Sequence, residues 1–321
     1  MCGRNEKYKS MENKIKIKLQ NAPDLIKKYF NSIWLTTEAT TRYVYLTYLL
    51  HFNNFLTENN IEITSVKPMD IDSYITQAIT GKDGKMNGFQ IINARLSAII
   101  SFYDFLVENE IISNNPCSKK KKLKVDKKDT VVYMTPEEVN KIKKAIYKGV
   151  NRQKKYINRD LAIVELGCTT GLRVSAIVNI DIDDIDFDAN SINVIEKGNK
   201  KRTIYFGENT KNILLKWIEV RNNIIDDEST NALFISKLKK RMSKDAVNDM
   251  LKSAVKVAGI NKNITPHKMR STCGMNLYNK TGDIYLTQNI LGHSNIKNTM
   301  IYVKATEEQE RKAANILDSY F

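Results

Sequence analysis

His267 and Arg270 stand three residues apart in the stretch TPHKMR, where Thr265 suits a helix N-cap and Pro266 the first helical position. A helix starting there turns its unpaired backbone N–H groups and positive dipole end outward, with the imidazole and the guanidinium side by side on one face. Such an end holds an anion, and phosphate is the natural one. Downstream, Ile284 to Leu291 reads as a second, short helix stopped by Gly292, which presents His293, and Tyr302 follows nine residues later. A phenol ionises near pH 10, so Tyr302 acts as a nucleophile at neutral pH only if its proton leaves as it attacks (about 10 is the free value). Taken singly these residues carry little: a His-x-x-Arg pair on a helix is ordinarily surface or cap, and one tyrosine among fifteen is ordinarily packing. Their order is the signal.

Thr-Pro-His-x-x-Arg, then Leu-Gly-His-Ser, then a tyrosine nine positions after that histidine resembles the tyrosine recombinase, or phage integrase, family, in its Xer-like size class. The resemblance demands an arginine and a lysine upstream, and both are present: Arg173 in TTGLR and Lys197 in KGNKKR. It implies that Arg173, Lys197, His267, Arg270, His293 and Tyr302 are catalytic. Tyr302 would attack a DNA phosphodiester, with Arg173 and Arg270 donating to the non-bridging oxygens and His267 and His293 adding donors or exchanging the tyrosyl proton. Lys197 would protonate the departing 5′-oxygen, which an ammonium can do and a guanidinium cannot. The product would be a 3′-phosphotyrosyl link that conserves the phosphoester energy, so no cofactor, ATP or metal is expected. The absence of a P-loop or of converging carboxylates agrees. The family usually carries an acidic residue three positions after its first arginine, where this chain has Ala176; a glutamate there is expected to orient the neighbouring groups and raise the rate.

The resemblance further implies a site-specific recombinase or integrase that works on double-stranded DNA as a homotetramer on two DNA sites, with accessory proteins in some systems. Two rivals remain beside it: a type IB topoisomerase, which shares the constellation but reseals without exchanging partners, and a catalytically inactive DNA-binding protein.

Charge agrees with a polyanionic partner. The net charge of +15 divides into 20 basic against 14 acidic residues before Tyr133, and 31 against 22 from there on, which is +6 and +9. Both halves are therefore basic, as suits a protein gripping DNA from two sides. The four cysteines lie far apart without a Cys-x-x-Cys pair, which argues against zinc or a disulfide framework and for a reducing cytoplasm, near the nucleoid. No apolar run approaches a membrane span, so no membrane partner is expected.

The elements that must position these residues are mostly helical, and the length accommodates two cores. The fold expected is mainly α with a small β-hairpin or sheet: a helical core-binding bundle followed by a mixed α+β catalytic domain. Residues 1–22 read as a loose extension and 23–116 as a bundle of four or five helices. Within it Tyr45, Leu49, Phe52 and Leu56, and then Ile92, Leu96, Ile99, Tyr103 and Leu106, recur at helical spacing. Asn114-Asn115-Pro116 ends the bundle, because a residue before proline leaves helical geometry. Residues 117–133 read as a basic linker, with seven lysines in KKKKLKVDKK at 119–128.

Residues 134–305 form the catalytic domain, opened by a capping box at Thr135-Pro136-Glu137-Glu138, with a hairpin around Lys197-Gly198-Asn199-Lys200. Residues 306–321 form a C-terminal helix in which Ala313, Leu317, Tyr320 and Phe321 make an apolar stripe, which the resemblance assigns to subunit exchange. Phosphate contacts are expected from Lys82, Lys85 and Arg95 in the bundle, Lys119, Lys120, Lys121 and Lys122 in the linker, and Lys200 and Arg202 on the hairpin.

Overall fold

The computed structural model describes residues 2–80, 88–124, 131–149, 154–195, 201–225, 230–303 and 307–319, and it divides into two compact units, 1–127 and 128–321. In the first unit the described helices are α1 (Cys2–Gln20), α2 (Asp24–Ser32), α3 (Ala39–Glu58), α4 (Pro68–Thr80) and α5 (Phe89–Glu108). The predicted stripes form its core: Leu49, Phe52, Leu56, Ile92, Leu96, Ile99, Tyr103 and Leu106 are buried, and Tyr45 is packed against them. Edge-to-face rings tighten it, with Phe52 meeting Tyr74 and Tyr103 at centroid distances of 5.0 and 6.2 Å.

One expectation needs correction here. The N-terminal stretch is a helix, whose Ile15 is fully buried in the bundle and whose Glu12 pairs at 3.1 Å with Arg42. Arg42 also lies 4.1 Å from the Trp34 ring centroid, so the buried cation is both neutralised and stacked. The stretch expected to be a basic linker is fastened at both of its described ends. Cys117 is buried in the first core, Lys120 pairs with Asp72, and the Leu123 backbone exchanges two hydrogen bonds with the Asn93 side chain, at 2.8 and 2.9 Å. On the far side, Val131 and Val132 pack on the second unit and the Met134 N–H donates to Thr272 Oγ1 at 2.9 Å.

The second unit comprises α6 (Pro136–Tyr147), α7 (Ile157–Thr169), the single turn α8 (Val174–Ile177), β1 (Ile185–Asp186), β2 (Ser191–Ile195), β3 (Lys201–Tyr205), α9 (Glu208–Asn222), α10 (Lys244–Val257), α11 (Pro266–Thr281), α12 (Ile284–Leu291) and α13 (Glu307–Asp318). The capping box that opens α6 is formed in both directions. The strands make an antiparallel sheet in the order β1-β2-β3, with Ile192 opposite Ile204 and Val194 opposite Arg202. Ile192, Val194 and Ile204 face inward while Asn193, Thr203 and Tyr205 are exposed, the period-two pattern of a sheet covered on one side. Almost the whole length of α7 is buried, and the Trp217 indole donates to the Leu233 carbonyl at 2.8 Å from inside this core.

Ala176 lies in the same core at 8 % exposure. A glutamate there would have to bury a carboxylate, so the expectation of a faster Ala176→Glu enzyme is replaced by one of lost stability.

Candidate active site

Helix α11 is the base of the site. Pro266 opens it and Thr265 takes the extended N-cap backbone, although the threonine side chain makes no capping hydrogen bond. His267, Arg270, Ser271 and Gly274 then follow at helical spacing along one face. Arg270 is 2 % exposed, and its guanidinium donates to the carbonyl of Gly171 at 2.7 Å and to that of Leu291. It thereby joins the turn before α8 to the end of α12. Gly171 makes the close approach feasible: its φ is +64°, and a Cβ there would lie 2.6 Å from Leu291 Cδ2. Two residues further on, Arg173 occupies the N-cap position of α8 and is exposed.

Helix α12 is capped by the Asp283 carboxylate, which accepts from the Leu286 N–H, and closed by Gly292 in left-handed geometry (φ 61°, ψ 44°). His293 comes next. Its N–H donates to the Gln288 carbonyl at 3.1 Å, its carbonyl accepts from Gln288 Nε2 at 2.9 Å, and its Nδ1 lies 2.9 Å from Thr299 Oγ1. Arg202 on β3 donates to the carbonyls of Asn289 and Ile290. Together with Arg270 on Leu291, guanidinium groups thus bind three successive carbonyls at the negative end of α12.

Tyr302 ends a 3₁₀ turn, Met300–Tyr302, with its N–H donating to the Thr299 carbonyl at 2.9 Å. Its ring is 4 % exposed and lies against Gly274, where a Cβ would stand 2.9 Å from Cε2 and Cζ. Cys273, Leu291 and Val131 complete this small cluster. Burial raises the Tyr302 pKa, while a hydrogen bond with Ser271 and the charge of Arg270 act in the other direction. The phenol is therefore protonated at neutral pH.

Both histidines are pushed the other way. Desolvation and the charges of Arg270, Lys268 and Arg173 lower His267; desolvation, then Arg270, Arg173, His267 and Arg202, lower His293 to about 4. Both imidazoles are thus neutral at pH 7 in a field of fixed positive charge, an arrangement that an incoming anion relaxes.

Five of the six residues expected to be catalytic, Arg173, His267, Arg270, His293 and Tyr302, come together in the second unit, four of them linked through the electrostatics of His293 and the fifth through Arg270. Lys197 lies outside the described residues, as do Lys200, Lys82 and Lys85. Of the other expected phosphate contacts, Lys119, Lys121 and Lys122 are exposed, Lys120 is paired with Asp72, and Arg95 is half-buried with its guanidinium 5.7 Å from the Tyr48 ring centroid. Arg202 also braces α12 from the sheet, because helix-end carbonyls lie in reach of its guanidinium. Sequence reasoning missed Ser271, Gly274 and Thr299. A glycine in the middle of a helix, four residues after Arg270, was the available signal for the second of these. Among the described residues no cluster of three or more His, Cys, Asp or Glu could hold a metal, and no helix is long and apolar enough to cross a membrane.

A protonated, buried tyrosine beside a cluster of cationic side chains suits phosphoryl transfer. Residues 132–309 match the phage integrase family and residues 26–110 match the N-terminal SAM-like domain of phage integrases. The chain is 33 % identical to tyrosine recombinase XerC of Vibrio vulnificus over 72 % of each chain, and 28 % identical to that of Leptospira interrogans over 81 % of each. Its fold is similar to that of XerH site-specific recombinase in a post-cleavage complex with palindromic difH substrate, with a TM-score of 0.76, 17 % identity and coverage of 97 % of this chain and 89 % of that one. It is also similar to the Tn1549 transposon integrase in complex with circular intermediate DNA, with a TM-score of 0.70, 23 % identity and coverage of 91 % and 99 %. The chain belongs to the phage integrase family and is a tyrosine recombinase, an enzyme of site-specific DNA recombination.

Proposed function

We propose that Tyr302 is the nucleophile, attacking a DNA phosphodiester to leave a 3′-phosphotyrosyl link and a free 5′-hydroxyl. The observation that carries this reading is the seating of a protonated, buried phenol against Gly274 beside Arg270. Arg173 and Arg270 bind the non-bridging oxygens as charge accumulates on them, and neutral His267 and His293 add donors or relay the tyrosyl proton. Lys197 protonates the leaving 5′-oxygen. A 5′-hydroxyl from a second strand then reverses the step, joining strands without ATP. The first unit acts as the core-binding domain, with exposed Lys119, Lys121 and Lys122 along the DNA backbone.

The same reading takes the active form to be a tetramer on two duplexes, acting on DNA in the cytoplasm. Its support is α13, where Ala313, Ile316 and Leu317 are all exposed, the last two at 58 and 61 %. A twelve-residue amphipathic helix is marginal by itself in water, and a neighbouring protomer would supply the surface it needs. An enzyme that only cut and resealed one duplex would have no use for such a helix, which favours recombination over a topoisomerase.

The test uses a nicked duplex made from the DNA flanking the gene. Wild-type protein should form an adduct that survives a denaturing gel, and Tyr302→Phe should bind the same duplex without forming it. An adduct persisting in the variant would assign the nucleophile elsewhere.

A further inference from the structure

Thr299 stands at the junction of two 3₁₀ turns, Ile296–Asn298 and Met300–Tyr302, and is fully buried. Its backbone N–H donates to the Ile296 carbonyl at 2.7 Å, and its own carbonyl accepts from the Tyr302 N–H at 2.9 Å. Its hydroxyl meets His293 Nδ1 at 2.9 Å. Among the described residues that is the only hydrogen bond of the hydroxyl.

A buried hydroxyl carries a proton that must be given to an acceptor, since leaving it unmade costs about 1–3 kcal/mol. In threonine the ordinary outlet is a backbone carbonyl three or four residues earlier, as Thr272 uses Lys268 and Thr287 uses Asp283, both at 2.8 Å. Thr299 makes no such bond. The acceptor in reach is the imidazole nitrogen, and a neutral imidazole accepts at one nitrogen only by carrying its proton on the other.

We propose that Thr299 is a positioning residue for His293: its hydroxyl donates to Nδ1, holds the ring in the Nε2–H tautomer, and so leaves Nε2 to the site as a hydrogen-bond donor. A donor is what a phosphate oxygen gaining negative charge requires, whereas the opposite tautomer would present a lone pair to it. Because the carbonyl of the same residue seats Tyr302, the orientation of the imidazole and the placing of the nucleophile are set by one residue. The proposal rests on the reading of His293 as a phosphate donor only for its catalytic consequence. The tautomer itself is a property of the protein without DNA.

The test is therefore read first without DNA. Full-length protein labelled with 15N-histidine has three imidazoles, and the His293 signals are those missing from His293→Gln. Long-range 1H–15N spectra at pH 7.5 should show wild-type His293 as Nε2–H, Thr299→Val as a mixture or the opposite tautomer, and Thr299→Ser as wild type. An Nδ1–H tautomer in the wild type overturns the proposal even if Thr299→Val does not fold. So does an unchanged tautomer in Thr299→Val.

With the nicked duplex, Thr299→Val should slow adduct formation by roughly tenfold, less than deleting an oxyanion donor outright, and Thr299→Ser should restore it. In the His293→Gln background, Thr299→Val should add nothing, since both changes act through one imidazole. Equal, additive losses in both backgrounds would make Thr299 a packing residue and overturn its positioning role. If wild-type protein forms no adduct at all, the nucleophile assignment fails while the tautomer result stands.

Discussion

Arg270 and Arg173 bring the same charge to the same site, and the fold treats them in opposite ways. Arg270 is buried, with its guanidinium bound to the carbonyls of Gly171 and Leu291; Arg173 is exposed at the start of a single helical turn. The difference extends to their surroundings. On the Arg270 side, Arg202, Thr299 and Gly274 brace His293 and Tyr302 from the sheet, the 3₁₀ turns and α11. On the other side, Arg173 and the exposed His267 stand on helix starts. One half of the site is therefore built into the scaffold, and the other stands on exposed helix starts. A buried guanidinium cannot be removed without stranding the carbonyls it serves.

Arg270→Ala should show the largest effect, because it strands both carbonyls. Adduct formation should vanish, and urea unfolding should report a loss of about 3 kcal/mol, the scale for removing one partner of a buried charged network. A variant that is inactive but fully stable would place Arg270 with Arg173. Arg173→Ala should cost on the order of 10²–10³ in adduct rate, as for one oxyanion donor, while stability stays within about 0.5 kcal/mol. A clear drop in unfolding midpoint would erase the contrast from the other side.

Lys197→Ala tests the proposed general acid. It should block cleavage of an ordinary duplex but be largely rescued by a 5′-bridging phosphorothiolate, whose thiolate leaves without a proton. No rescue would make Lys197 a phosphate contact.

The smallest effect concerns acid. His293 has its pKa lowered from 6.5 to about 4 in the folded chain, so between those values the unfolded chain binds a proton that the folded one does not. Stability contributed by the neutral ring is complete above pH 6.5 and is lost progressively as pH falls toward 4. Melting temperatures of wild type and His293→Gln should converge or cross over this window, the wild type losing more. Bound DNA should reduce the slope, since phosphate favours the charged imidazole. Parallel curves would mean that the ring is not held neutral.

The scaffold half was the less legible one. Local signals were sufficient for α6, because its capping box lies within four consecutive residues, and for α12, because Gly292 is a helix stop in its own right. They were also sufficient to single out the residues proposed as reagents, whose order along the chain is itself the motif. The bracing role of Arg202 was not legible for the opposite reason: its partners lie 87 and 88 residues away, and no reading of a basic turn contains them. The fastening of the linker was out of reach similarly, since the bonds between Asn93 and Leu123 join residues 30 apart. The N-terminal helix was missed because its sequence is strongly polar, and it is Ile15 and the Glu12–Arg42 pair that anchor it. Periodicity reports that a face must be covered; it does not report by what.

One consequence of α11 follows from its being a single unbroken helix. From His267 to Gly274 it advances about 10 Å at 1.5 Å per residue, with each residue turned about 100° from the last. The separation of the imidazole, the buried guanidinium and the notch for the tyrosine is therefore measured by a ruler that no loop movement can stretch. One residue inserted between Arg270 and Gly274 would swing the notch about 100° around the axis, leaving every reagent intact and the tyrosine with nowhere to sit.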